Sequence, residues 1–178
     1  EQHKQIKKEM AGKSMVFGGD EGNGSGSENQ TLQKIKTNDK KLNYEDGSKY
    51  VGQLWNGQPH GQGTMTYPDG SKYVGKFKNG MRNGTGKLFK NKSEIKYIGQ
   101  WKNGEKSKGT YFFESGGKYT GLFKNGIPNG KGKLYYDNDD YYDGDFEDGQ
   151  PNGYGTLFLD NGDYYKGYFS GEGDDFSI

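Results

Sequence analysis

Histidine is the side chain best suited to acid–base work near neutral pH, and this chain carries two, His3 and His60. His60 occupies a place that Asn83, Asn129 and Asn152 fill further along, so a polar turn residue accounts for it. No serine stands in a Gly-x-Ser-x-Gly elbow at the end of a buried strand. With no cysteine there is no thiolate nucleophile, no thiolate zinc site and no disulfide. Residues 70–76, Gly-Ser-Lys-Tyr-Val-Gly-Lys, approach the spelling of a phosphate-binding loop. They fail at Phe77, where a hydroxyl would have to hold magnesium, and no helix follows. The glycines of residues 22–26 lack the strand and helix that a nucleotide role requires. The acidic run at residues 137–145 invites a calcium reading. Its spacing departs from the EF-hand loop and the closing Glu is missing, so a solvated turn accounts for it better than a weak cation site does. The residues that could do chemistry thus predict no catalytic group, no cofactor, no metal and no enzyme.

The elements that carry these residues announce themselves by repetition. Tyr-x-Gly begins at Tyr50, Tyr73, Tyr97, Tyr119, Tyr142 and Tyr165, at offsets of 23, 24, 22, 23 and 23 residues. Four residues after each Tyr comes Leu54, Phe77, Trp101, Phe123, Phe146 or Phe169. Gly57, Gly80, Gly104, Gly126 and Gly149 follow, and then a Gly-x-Gly such as Gly61 and Gly63. The third unit departs, with Ser107 in place of the first of these glycines and one residue fewer before it. Side chains at positions 0, 2 and 4 share one strand face. Met65, Leu88, Tyr111, Leu134 and Leu157 continue that face on a second strand. Asn-Gly pairs between the strands, with Asp148-Gly149 in the fifth unit, suit a tight turn at positive φ. Each unit therefore reads strand, turn, strand, turn. Glycine weakens a strand unless something must approach closely, so its place beside the aromatics predicts a slot for a neighbouring ring. Mean hydropathy is −1.21, a value compatible with disorder. The regular spacing of 15 Tyr and 10 Phe argues for a fold, since a Tyr ring is a large apolar surface that hydropathy scores as polar.

This pattern, Tyr-x-Gly-x-(Trp/Phe)-x-x-Gly-x-x-x-Gly-x-Gly at a period of about 23 residues, resembles the MORN (membrane occupation and recognition nexus) repeat. The resemblance implies an all-β fold, an elongated single-layer antiparallel sheet of tandem hairpins, behind a low-complexity N-terminal tail. It divides the chain into a flexible or partner-ordered tail at 1–41, a repeat array at 42–170 and an acidic tail at 171–178. The array holds five full repeats with a partial one at each end. Tyr50, Tyr73, Tyr97, Tyr119, Tyr142 and Tyr165, with Phe77, Trp101, Phe123, Phe146 and Phe169, are its expected core.

The net charge of +1 supplies no global field to capture nucleic acid, and no apolar run is long enough to span a membrane as a helix. Charge is segregated locally instead. Lys76, Lys78, Lys87, Lys102, Lys124 and Lys133 fall on the face opposite the aromatic core and are expected to form adjacent cross-strand rows. Asp143, Asp145, Glu147 and Asp148 invert the sign in the fifth repeat. Trp55 sits where other repeats carry Lys78, Lys102, Lys124, Glu147 and Ser170, and with Val51, Val74 and Ile98 it marks a contact patch or a place covered by the N-terminal arm. Trp55 and the six lysines are the candidate partner-binding residues. Similar arrays serve in ciliary radial spokes and cytoskeletal scaffolds. The resemblance therefore implies a non-catalytic scaffold subunit that binds other proteins of a larger assembly, in the cytoplasm on the cytoskeleton, with a cilium or axoneme as one setting. The alternative is a peripheral module binding anionic membrane lipids through its lysines. A regulatory array joined to an enzyme, as in MORN-bearing lipid kinases, needs a longer chain than these 178 residues.

Overall fold

The computed structural model describes residues 31–34 and 39–171. The readings placed on residues 1–30, 35–38 and 172–178 lie outside the described residues. The described chain is all-β, built from thirteen strands: β1 (Thr31–Lys34), β2 (Lys40–Asn43), β3 (Lys49–Trp55), β4 (Gln58–Thr66), β5 (Lys72–Lys78), β6 (Met81–Phe89), β7 (Ile95–Lys102), β8 (Glu105–Phe112), β9 (Lys118–Lys124), β10 (Ile127–Tyr135), β11 (Tyr141–Glu147), β12 (Gln150–Phe158) and β13 (Tyr164–Phe169). The chain forms two compact units, which divide between Tyr111 and Phe112. In the first, β1 to β8 pair antiparallel in sequence order. In the second, β9 to β13 do the same. Strand pairing begins upstream of residue 42, because Leu32 stands opposite Leu42 in the β1–β2 pair.

The hairpin turns follow from their residues. Asn56-Gly57, Asn79-Gly80, Asn103-Gly104, Asn125-Gly126 and Asp148-Gly149 all have positive φ at both positions, the geometry that matches the twist of the flanking strands. Successive hairpins are tied at these turns. The Gly80 amide donates to the Pro59 carbonyl at 2.9 Å, Gly104 to Arg82 at 2.9 Å and Gly149 to Pro128 at 3.0 Å. The first glycine of each Gly-x-Gly sits at a register shift with positive φ, as in Gly61, Gly84, Gly130 and Gly153. In the third repeat the shorter segment moves the register by one residue fewer between Gln100 and Trp101. Ser107 is not among the positive-φ residues, which explains why a serine is tolerated there.

The core is a row of tyrosines lying across glycines. Tyr50, Tyr73, Tyr97, Tyr119 and Tyr142 are fully buried. A Cβ on Gly75 would meet the Tyr73 hydroxyl and the backbone of the paired strand, and one on Gly86 would meet the Tyr73 ring. The ring that fills the slot is therefore the repeat's own Tyr, folded along its strand and over the partner strand. Its hydroxyl is satisfied by the carbonyl three residues on, at 2.7 Å for Tyr50 to Gln53 and 2.9 Å for Tyr73 to Lys76. The aromatic four residues on then bridges repeats. Phe77 meets Tyr50 and Tyr73 edge-on at 5.1 and 5.0 Å, and Phe146 meets Tyr119 and Tyr142 at 4.8 and 5.3 Å. Edge-to-face geometry is the favoured one for aromatic pairs. Phe123 and Phe169 are buried with them, while Tyr165 is half-buried.

Candidate interaction surface

Alternation along each strand sends every residue between the core positions to the outer face, and the register arranges those residues in rows across the strands. Across β3 to β8 of the first unit the central row runs Val51, Thr64, Val74, Lys87, Ile98, Thr110. Five of its six members are β-branched, the type that packs best on a pleated surface. Beside it lies Lys49, Thr66, Lys72, Phe89, in which the Lys72 ammonium sits 4.6 Å from the centre of the Phe89 ring.

The candidate lysines are all exposed but are not aligned with one another. Lys76 faces Gln62, Lys78 faces Met81, Lys87 lies between Val74 and Ile98, and Lys102 faces Glu105. In the second unit Lys124 faces Ile127. Lys133 lies between Thr120 and Asp143 and forms an ion pair with Asp143 at 3.0 Å. That hydrogen bond holds the Lys133 ammonium above its usual pKa. The register sets a different residue type opposite each of these lysines, on first strands and second strands alike, and the expected lysine rows become mixed rows. Trp55 is 58% exposed and packs against His60 at 5.5 Å. It lies at the hairpin end of β3, opposite Gln58, away from the row that holds Val51.

The outer face of the second unit differs in kind. Its first row is Lys118, Tyr135, Tyr141, Phe158, Tyr164. Tyr135 stacks on Tyr141 at 5.6 Å, Tyr141 on Phe158 at 4.5 Å, and Phe158 leans on Tyr164 at 6.2 Å. The Lys118 ammonium caps one end, 4.9 Å from the Tyr135 centroid. Further along the strands Lys131 pairs with Asp145 at 2.7 Å, and Tyr154 meets Tyr168 edge-on at 5.4 Å. Sequence reasoning missed this aromatic ladder. The signal was available in the register, since each member immediately precedes a core Tyr or follows a core Leu.

Two buried cations were also missed. Arg82 and Lys106 are buried at the position that Pro59, Pro128 and Pro151 fill in other repeats. The Arg82 guanidinium lies 4.2 Å over the Trp101 ring and donates to the Gly104 carbonyl at 2.7 Å. The Lys106 ammonium lies 5.2 Å over Tyr111. In the acidic turn Asp140 is buried. Its carboxylate accepts from Asn138 Nδ2 at 2.7 Å and from the Asp160 amide at 2.9 Å, which ties it to the next turn.

No curated protein sequence matches the chain. Among solved structures the fold is similar to the TCP domain of SAS-4 (dCPAP) of Drosophila melanogaster, in complex with a proline-rich motif of Ana2 (dSTIL). The match has 11% identity and a TM-score of 0.51, and covers 78% of this chain and 77% of that one, so the likeness is one of fold. The MORN repeat model matches residues 50–72, 73–93, 97–118, 119–141 and 142–164. The tyrosine-over-glycine core and the positive-φ turns are the physical content of that pattern, and the chain belongs to the MORN repeat family.

Proposed function

We propose that this protein is a non-catalytic scaffold subunit that docks other proteins on the outer faces of its sheets, within a cytoskeletal assembly for which a cilium or axoneme is one setting. MORN repeats are interaction modules for proteins or membrane lipids. The observation that carries the protein reading is the exposed apolar content of the outer faces, where Trp55, Val74, Met81, Tyr154, Tyr164 and Tyr168 stand in solvent. Exposed apolar groups rimmed by polar ones mark interaction sites. The similar TCP domain, held in complex with a proline-rich motif, supports a docking role for a sheet of this kind. Fractionation of the source cells tests the reading. Retention in the detergent-insoluble cytoskeletal pellet is expected, and release with floating membranes would overturn it.

The lipid reading has its own support in the first unit. Residues 39–111 hold fourteen Lys and Arg against six Asp and Glu, a formal balance of +8. That reading expects salt-sensitive binding to vesicles of anionic phospholipid, lost when Lys78, Lys102 and Lys124 become Glu. Binding that ignores those three substitutions would exclude it.

A further inference from the structure

We infer that the aromatic outer face of β11 to β13 is a docking site for an extended, arginine-rich segment of a partner protein, an inference that deepens the scaffold reading and rests on it. The ladder from Tyr135 to Tyr164 is asymmetric. At its β9 end Lys118 lies over Tyr135, and Lys133 sits 5.7 Å from the Tyr141 centroid, so these rings already accept cations from within the chain. At its β13 end Tyr164 is 68% exposed and Tyr168, two residues on along the same face from Lys166, is 60% exposed. Their rings present the surface that the lysines occupy at the other end.

The charge around the ladder selects the sign of the occupant. Residues 135–171 carry nine Asp and Glu against the single Lys166. Lys133 and Lys131 neutralise Asp143 and Asp145 in part, which leaves the surface net acidic, with Asp163 immediately before Tyr164 and Glu147 at the hairpin end of β11. An acidic field draws a basic partner in. Aromatic rings then favour arginine over lysine, because the planar guanidinium both stacks and is weakly hydrated. The shape fits an extended chain. The Phe158–Tyr164 and Tyr154–Tyr168 rows lie four residues apart along the strands, about 13 Å at the strand rise. Asp143, Thr156 and Lys166 stand in the row between them, so no ring separates the two aromatic rows and an extended chain crossing the strands can reach both.

The test uses the full chain and three labelled peptides of about twelve residues, alternating Gly with Arg, Lys or Glu, with binding read by fluorescence anisotropy at low and high salt. The Arg peptide is expected to bind several-fold more tightly than the Lys peptide, and the Glu peptide not at all. Replacing Tyr164→Ser and Tyr168→Ser together, at exposed positions, is expected to weaken the Arg peptide about tenfold with the circular dichroism melt unchanged. Equal binding of the Arg and Lys peptides, or Arg binding that ignores the two serines, would mean nonspecific charge attraction and overturn the inference. Self-association of the wild type that the serines abolish, with no peptide bound, would assign the face to a second copy and overturn it equally. Cytoskeletal retention without peptide binding removes this inference alone, whereas peptide binding by a chain that floats with membranes removes the scaffold reading alone.

Discussion

In the second repeat the outer face of the first strand presents Val74, Lys76 and Lys78; in the fifth, the same positions are Asp143, Asp145 and Glu147. Beneath them the two repeats are nearly superimposable in kind. Tyr73 and Tyr142 both lie over a glycine pair, Gly75 with Gly86 and Gly144 with Gly155, and both meet an aromatic four residues on. The contrast holds for whole regions. Residues 39–111 are basic by +8, while residues 112–171 hold five Lys against ten Asp and Glu, a balance of −5. The near-neutral chain is therefore the sum of two oppositely charged surfaces on one core design. The aromatic core lies on one face of each strand and the differing charges on the other, so either can change without the other.

If the core is common to both regions, equivalent lesions should cost the same in each. Gly86→Ala and Gly155→Ala both push a methyl into a buried Tyr ring backed by paired strands. Each is expected to destabilise by at least about 2 kcal/mol, read as the shift in urea midpoint. A large difference between them would break the equivalence. The second comparison uses pH. Burial raises the phenols of Tyr50, Tyr73 and Tyr97 in the first region and Tyr119, Tyr136 and Tyr142 in the second. At the edge of the array burial and then Asp46 push Tyr44 up to about 12. A raised phenol keeps its proton when folded and loses it when unfolded, so its contribution is complete below about pH 10 and is lost as pH rises through the folded value. Both regions should lose stability together above about pH 10, followed by thermal melts monitored at tyrosine absorbance.

Smaller effects should separate the regions. Arg82→Ala removes a cation over Trp101 and a hydrogen bond to Gly104, and is expected to cost about 1–3 kcal/mol. Pro128→Ala, at the matching position, should cost about 1–2 kcal/mol, because its fully buried ring loses burial of about two methylenes as well as the restriction it places on the unfolded chain. Equal melting shifts would show that the cation contributes no more than the ring it replaces. Smallest of all, Asp139 holds a φ of 64° where the first repeat's matching turn has Gly70. Asp139→Gly should gain about 0.5–1 kcal/mol, seen as a small rise in melting temperature.

Much of this was legible in the residues because the core obeys local rules. Two-residue alternation places Tyr, Gly and the following aromatic on one face, and Asn-Gly, or Asp-Gly in the fifth repeat, marks the turn inside each hairpin from Asn56-Gly57 to Asp148-Gly149. The departure at Ser107 was visible too, though only the register explains it. A ring over the glycine is legible in the sequence, but that it is the repeat's own Tyr is not, because the sequence does not show how far a Tyr side chain folds along its own strand. Arg82 and Lys106 escape a reading of the sequence, since nothing local distinguishes a lysine over a ring from one in water. The lysine rows dissolved and the aromatic ladder emerged for one reason. Both depend on which residues of different strands stand opposite, and that is set by the hairpin register rather than by spacing along the chain.

The ties between successive hairpin turns bear on how the protein ages. Asparagine followed by glycine deamidates when the glycine nitrogen attacks the side-chain amide to close a succinimide ring. In Asn79-Gly80 and Asn103-Gly104 that nitrogen donates its hydrogen to the carbonyl of the preceding hairpin, and the turn holds it in place. Those two asparagines should therefore resist deamidation in the folded protein, which peptide mapping after long storage would register as a slower one-dalton gain at Asn79 and Asn103 than in the same chain held unfolded in urea.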